Sequence, residues 1–142
     1  MKTNEIRQTF LEYFQNKNHK IVPAASLIPQ DISSSSLFTV AGMQQFRPYF
    51  IGLRDPFKDI HPGLATPLGT KNVATIQKCL RTIDIDSIGD NKHLTFFEML
   101  GNFSFGGYFK KEAINYAFEF VTKILKIAPE KLQISVFKGN DQ

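Results

Sequence analysis

Two alternating runs joined by a polar connection constrain this chain more than any other feature. Residues 73–81 read VATIQKCLR and residues 93–100 read HLTFFEML. A period of two marks a strand, because successive side chains point to opposite faces. In the first run Val73, Thr75, Gln77, Cys79 and Arg81 share one face, and Ala74, Ile76, Lys78 and Leu80 share the other. In the second, His93, Thr95, Phe97 and Met99 oppose Leu94, Phe96, Glu98 and Leu100. The connection over residues 82–92 is acidic, with Asp84, Asp86 and Asp90. Strand, polar loop and strand predict an antiparallel hairpin. A core strand does not need His, Thr and Phe on one face and Glu amid apolar residues on the other; a strand that holds a ligand on one face can use both. The second run then continues through Gly101, Gly106 and Gly107, with aromatic residues between them.

A chain of 142 residues fits one domain and can bury a real core. Its 42% hydrophobic and 21% charged content is that of a globular protein rather than a disordered one. The net charge of +4 suits an anionic ligand such as a nucleotide or RNA without requiring one, since an ordinary basic surface gives the same balance. Cys79 is the single cysteine, so no intrachain disulfide is possible and a reducing compartment is favoured. No apolar run approaches membrane-spanning length, and the opening MKTNEIRQ lacks the apolar segment of a signal peptide. The expected location is the cytoplasm, with no membrane partner.

Along the chain, Ile6, Phe10, Leu11 and Phe14 form one helical stripe, capped by Thr3 or Asn4 and ending around Lys17, Asn18 and His19. Ile21 and Val22 suggest a short strand broken at Pro23. Residues 33–36 are a polar serine run, read as loop. Residues 37–40 suggest a strand, and residues 43–50 a short helix that Pro48 puts in question. Residues 55–71 hold Pro56, Pro62, Gly63, Pro67 and Gly69 and read as an exposed loop. A second helix is expected over residues 110–126, with its stripe at Ala113, Ile114, Ala117, Phe118, Val121, Ile124 and Leu125, and a last strand over 133–137. No internal repeat or linker divides the chain.

Several motifs fail on spacing. Residues 63–71 have five residues between glycines and the order Thr-Lys, whereas a phosphate loop needs four and then Lys-Ser or Lys-Thr. Asp84, Asp86 and Gly89 begin like a calcium loop, but Thr95 stands where a bidentate Glu is required. Cys79, His19, His61 and His93 lack zinc-ligand spacing, so no metal site is expected and Cys79 reads as a buried free thiol. No nucleophile triad is present.

The hairpin survives this sorting. Arg81 offers a planar fork of donors matched to phosphate. Phe97 offers a flat face on which a purine can stack. His93 lies two pleats from Phe97 on the same face, within range of a second phosphate. The competing reading, Phe97 in a core and Arg81 as a surface charge, stays open on pattern alone.

Five segments extend the argument: EIRQTFLEYF at 5–14, SLIP at 26–29, LFTVAGMQQF at 37–46, QKCLRT at 77–82 and HLTFFEMLGNFSFGGYFKKEAI at 93–114. In this order they resemble the N-terminal part of the alanyl-tRNA synthetases, which are class II aminoacyl-tRNA synthetases. The resemblance implies an α+β fold, an antiparallel sheet flanked by helices, with residues 1–142 forming the N-terminal portion of the catalytic domain and carrying motifs 1 and 2. Motif 2 of that class is an antiparallel pair with Arg on the first strand and Arg/His-x-x-x-Phe on the second, matched here by Arg81 and by His93 through Phe97. By resemblance, Arg81 is the catalytic residue and contacts the α-phosphate of ATP, Phe97 stacks on adenine, and His93 lies near the outer phosphates. The first helix and the segment to Pro29 resemble motif 1, which serves sheet packing and often dimer contacts. The implied activity is ATP-dependent activation of alanine and its transfer to tRNA(Ala). ATP and Mg2+ are the implied cofactors, and alanine, the tRNA acceptor end and the remainder of the synthetase, in the same or a separate chain, the implied partners.

The chain also departs from the family. Thr82, Ile83 and Asp84 stand where a glycine pair and a lysine commonly follow the motif 2 arginine. Val40 replaces the usual Asn, and the 55–71 loop is longer. Motif 3 is not reached, so the chain is expected to be a fragment of the catalytic domain, inactive alone and without the zinc of the family's editing domain. Two alternatives follow: a noncatalytic nucleotide- or RNA-binding paralogue, or one half of a split synthetase.

Overall fold

The computed structural model describes residues 1–29, 36–83, 85–137 and 139. In chain order the elements are α1 (Thr3–Asn16), β1 (Lys20–Ile21), α2 (Arg47–Phe50), β2 (Ile60–His61), β3 (Thr66–Pro67), β4 (Asn72–Leu80), β5 (Phe96–Ser104) and α3 (Lys110–Glu119). They fall into two units, Met1–Tyr108 and Phe109–Gln142.

The predicted hairpin frames the first unit. β4 and β5 pair antiparallel along their full length, from Asn72 opposite Ser104 to Leu80 opposite Phe96. The Arg81 N–H adds one more bond, donating to the Thr95 carbonyl at 2.8 Å. The second strand begins at Phe96 and not at His93. Asp90 is the cause: its carboxylate accepts from the backbone N–H of Lys92 at 2.9 Å and of His93 at 2.7 Å, closing a turn that holds His93 out of the ladder.

β1 lies on the other edge of β4 and runs parallel to it, Lys20 opposite Val73 and Ile21 opposite Ala74. The sheet is therefore mixed, not antiparallel throughout. Of its predicted stripe α1 buries Phe10 and Phe14, leaves Ile6 and Leu11 half-buried, and buries Tyr13 in addition. Its cap differs from expectation: Lys2 is the N-cap residue, and its backbone N–H donates to Glu5 at 2.7 Å. The helix ends where Asn18 turns left-handed at φ 61°. Glu98, unexplained by the strand pattern, meets Arg7 of α1 at 2.6 Å. The alternation of β5 then puts α1 on the face away from Phe97.

The Phe97 face is covered by residues 39–50. Residues 37–40 form no strand. Residues 43–50 form a 3-10 turn, Gln44–Phe46, leading into α2, and Pro48 sits in the first turn, where a missing N–H leaves no bond unmade. The core on this side comprises Val22, Phe46, Tyr49, Leu68 and Val73, with Leu64, Phe103 and Phe105 packed against it. The 55–71 segment, expected to be an exposed loop, thus contributes to the core. It closes on itself through the β2–β3 pair and buries His61 and Leu68. The fully buried Leu68, with Leu64 packed against the core, outweighs a proline- and glycine-rich composition here, because burying an aliphatic side chain gains about 1.5–3 kcal/mol.

In the second unit, α3 passes at Phe120 into a π-type turn, Phe120–Ile124, and the chain turns left-handed at Lys126, φ 57°. Ile114 and Phe118 of the predicted stripe are exposed. Residues 133–137 form no strand, and Ile134, Val136 and Phe137 are exposed. An alternating pattern makes a strand only where a neighbour supplies the ladder. The 33–35 part of the serine run and Asp84 lie outside the described residues.

Candidate functional site

The β4–β5 register sets the site. Cys79 stands opposite Phe97, and Gln77 opposite Met99, so Thr75, Gln77, Cys79, Phe97, Met99, Gly101 and Phe103 share a face. Arg81 follows directly on β4. Its guanidinium carbon lies 5.3 Å from the centroid of the Phe97 ring, a cation–π distance. Its Nε–H donates to the Val40 carbonyl at 3.0 Å. Among the described residues no carboxylate pairs with it. The terminal nitrogens of a half-buried guanidinium thus stay available to an anion beside an aromatic face.

His93 does not join this pair. Its Nδ1 lies 2.6 Å from Asp90 Oδ2, in the exposed loop before β5. The hydrogen bonds from His93 and Lys92 hold the Asp90 carboxyl below its usual range. The three candidates therefore divide: Arg81 and Phe97 are brought together, and His93 is held at the hairpin's tip by another partner.

Several residues that shape the site were not singled out from the sequence. Gln77 is fully buried; its side chain accepts from Ala25 N–H at 2.8 Å and donates to the Ala25 carbonyl at 3.0 Å. Gly42 N–H lies 3.3 Å from Met99 Sδ. Thr39 and Val40 bridge the 26–27 segment to the end of β4. The signal was present in the LFTVAGMQQF segment, but a main-chain acceptor leaves no trace in residue type. For the same reason the departure at Val40 leaves the Arg81 contact intact, since that contact uses the carbonyl. Cys79 is buried and free, and burial raises its thiol pKa.

A cavity of about 720 Å³ lies against Ser26, Thr39, Gln45, Arg47, Arg54 and His61. Arg81, His93 and Phe97 do not line it. The cation and aromatic pair of the hairpin therefore lies outside this cavity. Among the described residues no three His, Cys, Asp or Glu side chains come together to hold a metal ion. No helix among them is long and apolar enough to cross a membrane.

Comparison with known proteins bears on this geometry. The family model for class II (A) tRNA synthetases matches residues 5–142. An alanine–tRNA ligase of Rubrobacter xylanophilus is 50% identical over 141 residues, 99% of this chain and 14% of that protein. Alanine–tRNA ligases of Thermotoga maritima and Carboxydothermus hydrogenoformans are each 50% identical over 143 aligned positions, the whole of this chain and 15% of theirs. This chain therefore spans only 14 to 15% of the length of these relatives. The α+β fold, the motif segments and the match along nearly the whole sequence lead to one conclusion: the chain belongs to the class II (A) tRNA synthetases, and the relatives it resembles in that family are alanine–tRNA ligases.

Proposed function

We propose that this chain is the N-terminal, motif 1 and motif 2 portion of an alanine–tRNA ligase and supplies its ATP-binding hairpin. The observation that carries the reading is the Arg81–Phe97 pair, a guanidinium that no carboxylate pairs with among the described residues, set 5.3 Å from an aromatic ring on one sheet face. The adenine ring stacks on Phe97, with the guanidinium beside that ring directed to the phosphates. The alanine carboxylate attacks the α-phosphorus, the bond to the bridging oxygen breaks, and pyrophosphate leaves with the electron pair. The alanyl-adenylate then passes its acyl group to the terminal ribose of tRNA(Ala). Charge grows on the α-phosphoryl oxygens in the first step, and Arg81 is a donor already in place for it. Magnesium, which this class of enzyme uses with ATP, would neutralise phosphate charge. His93 is held by Asp90 through Nδ1, which leaves Nε2 to face the outer phosphates.

The test is alanine-dependent ATP–pyrophosphate exchange, run on this chain and on the chain extended to the length of its relatives. Exchange in the extended form that falls by a hundredfold or more, on the order of one lost preorganised donor, in Arg81→Ala supports the reading. Near-normal exchange in Arg81→Ala sinks the assignment. ATP or RNA binding without exchange in either form leaves a noncatalytic binding module instead.

A further inference from the structure

We infer that Thr39 is a positioning residue for Arg81, acting through the Val40 carbonyl; this rests on the proposed role of Arg81. An arginine fork is useful to a phosphate only when its plane is fixed, and a free side chain of this length samples many rotamers. Here the plane is set by two contacts, the Phe97 ring at 5.3 Å and the Val40 carbonyl at 3.0 Å from Nε. The second is only as rigid as the peptide that carries it.

The adjoining Thr39–Val40 peptide is bonded through both its carbonyl and its N–H. Thr39 is 2% exposed. Its hydroxyl donates to the Ser26 carbonyl at 2.7 Å, and its N–H donates to the Leu27 carbonyl at 2.8 Å. Its own carbonyl accepts from Leu80 N–H at 2.9 Å, at the last residue of β4 and next to Arg81. The Val40 N–H donates to Gln44 Oε1 at 3.0 Å. Thr39 therefore ties the 26–27 segment to the strand that carries Arg81, and the next carbonyl along takes the guanidinium. The hydroxyl is the one side-chain bond in this bracket that Thr39 itself makes. A buried bond of this kind leaves its partner carbonyl unsatisfied when removed, and the segment shifts to compensate. A displacement near 1 Å at a group that must meet the transition state costs up to about a hundredfold in rate.

The experiment compares Thr39→Val, which keeps the shape and loses the hydroxyl, with Thr39→Ser, which keeps the hydroxyl. The first readout is the Arg81 Nε–H NMR signal in this chain, assigned by its disappearance in Arg81→Lys, and its exchange rate with water. The second is alanine-dependent pyrophosphate exchange in the extended protein, measured well below each variant's melting temperature. In Thr39→Val the Nε–H is expected to exchange about tenfold faster or more, and kcat to fall at least about tenfold while KM for ATP stays within about threefold, Phe97 being untouched. Thr39→Ser is expected to stay within about twofold of wild type in both readouts, the hydroxyl bond being retained. A Thr39→Val protein with a protected Nε–H and unchanged exchange overturns the inference, as does a Thr39→Ser protein that fails equally. Should Thr39→Val not fold, Gln44→Met removes the acceptor from Val40 N–H without touching Thr39, and the same outcomes apply. If wild type gives no alanine-dependent exchange, the proposed function fails, and the Nε–H readout alone decides the positioning role.

Discussion

Gly101 leaves no free space for a side chain. A Cβ built on it would sit 2.6 Å from both Cε2 and Cζ of Phe103, against about 3.5–4.0 Å for an ordinary carbon contact. In Gly101→Ala the ring must withdraw by about 1 Å to restore that distance. It has little room to do so, because it packs against the fully buried Phe46 at 5.3 Å between centroids. Overpacking of this kind costs about 1–3 kcal/mol. At roughly 4 °C per kcal/mol for a chain of this size, the melting temperature should fall by about 4–12 °C. Calorimetry or thermal circular dichroism measures it. The mechanism predicts more than a loss: Phe103→Leu, which shortens the obstructing side chain, should cost less in the Gly101→Ala background than in wild type, by about 1 kcal/mol. A melting temperature within 1 °C of wild type, on the order of ordinary scatter, or strictly additive double-mutant costs would show that the ring is not the obstacle.

Three further outcomes are expected. Phe97→Ala should raise KM for ATP in the extended protein more than it lowers kcat, because stacking is worth about 1–3 kcal/mol per base; an unchanged KM would speak against adenine on this ring. His19 and His61 are both held below the usual histidine pKa, chiefly by burial, so the fold takes up protons less readily than the unfolded chain. Stability should therefore fall as pH drops below the unfolded value of about 6.5, and the slope of melting temperature against pH should flatten in a His19→Gln, His61→Gln protein; parallel slopes would exclude the two histidines as the cause. Cys79, buried with a raised pKa, should react with a thiol reagent only as fast as the chain opens, so fast labelling of the folded protein would contradict its placement.

The hairpin was legible in the sequence because period-two alternation is local, and so was the placing of Arg81 at the end of one strand and Phe97 on the other. The same reasoning carried the strand three residues too far, to His93, because the Asp90 carboxylate competes for the backbone donors there. What was not legible depends on distant partners. Glu98 made sense only with Arg7, 91 residues away, and β1 only with β4. Residues 133–137 show the converse, a strand pattern with no neighbouring strand to complete it. In residues 55–71 composition argued for solvent, and the burial of His61 and Leu68 decided otherwise.

The mixed sheet has a consequence for the order in which it assembles. β4 and β5 are joined through residues 81–95, whereas β1 reaches β4 only after the longer segment of residues 22–71 has closed. Loop closure disfavours the longer connection, and the short helix-and-loop bracket over 39–50 can seat only on strands that already exist. The antiparallel pair is thus the natural nucleus, and slow steps in refolding belong to the parallel edge. Whatever arrives late, the strands bearing Arg81 and Phe97 are drawn together first.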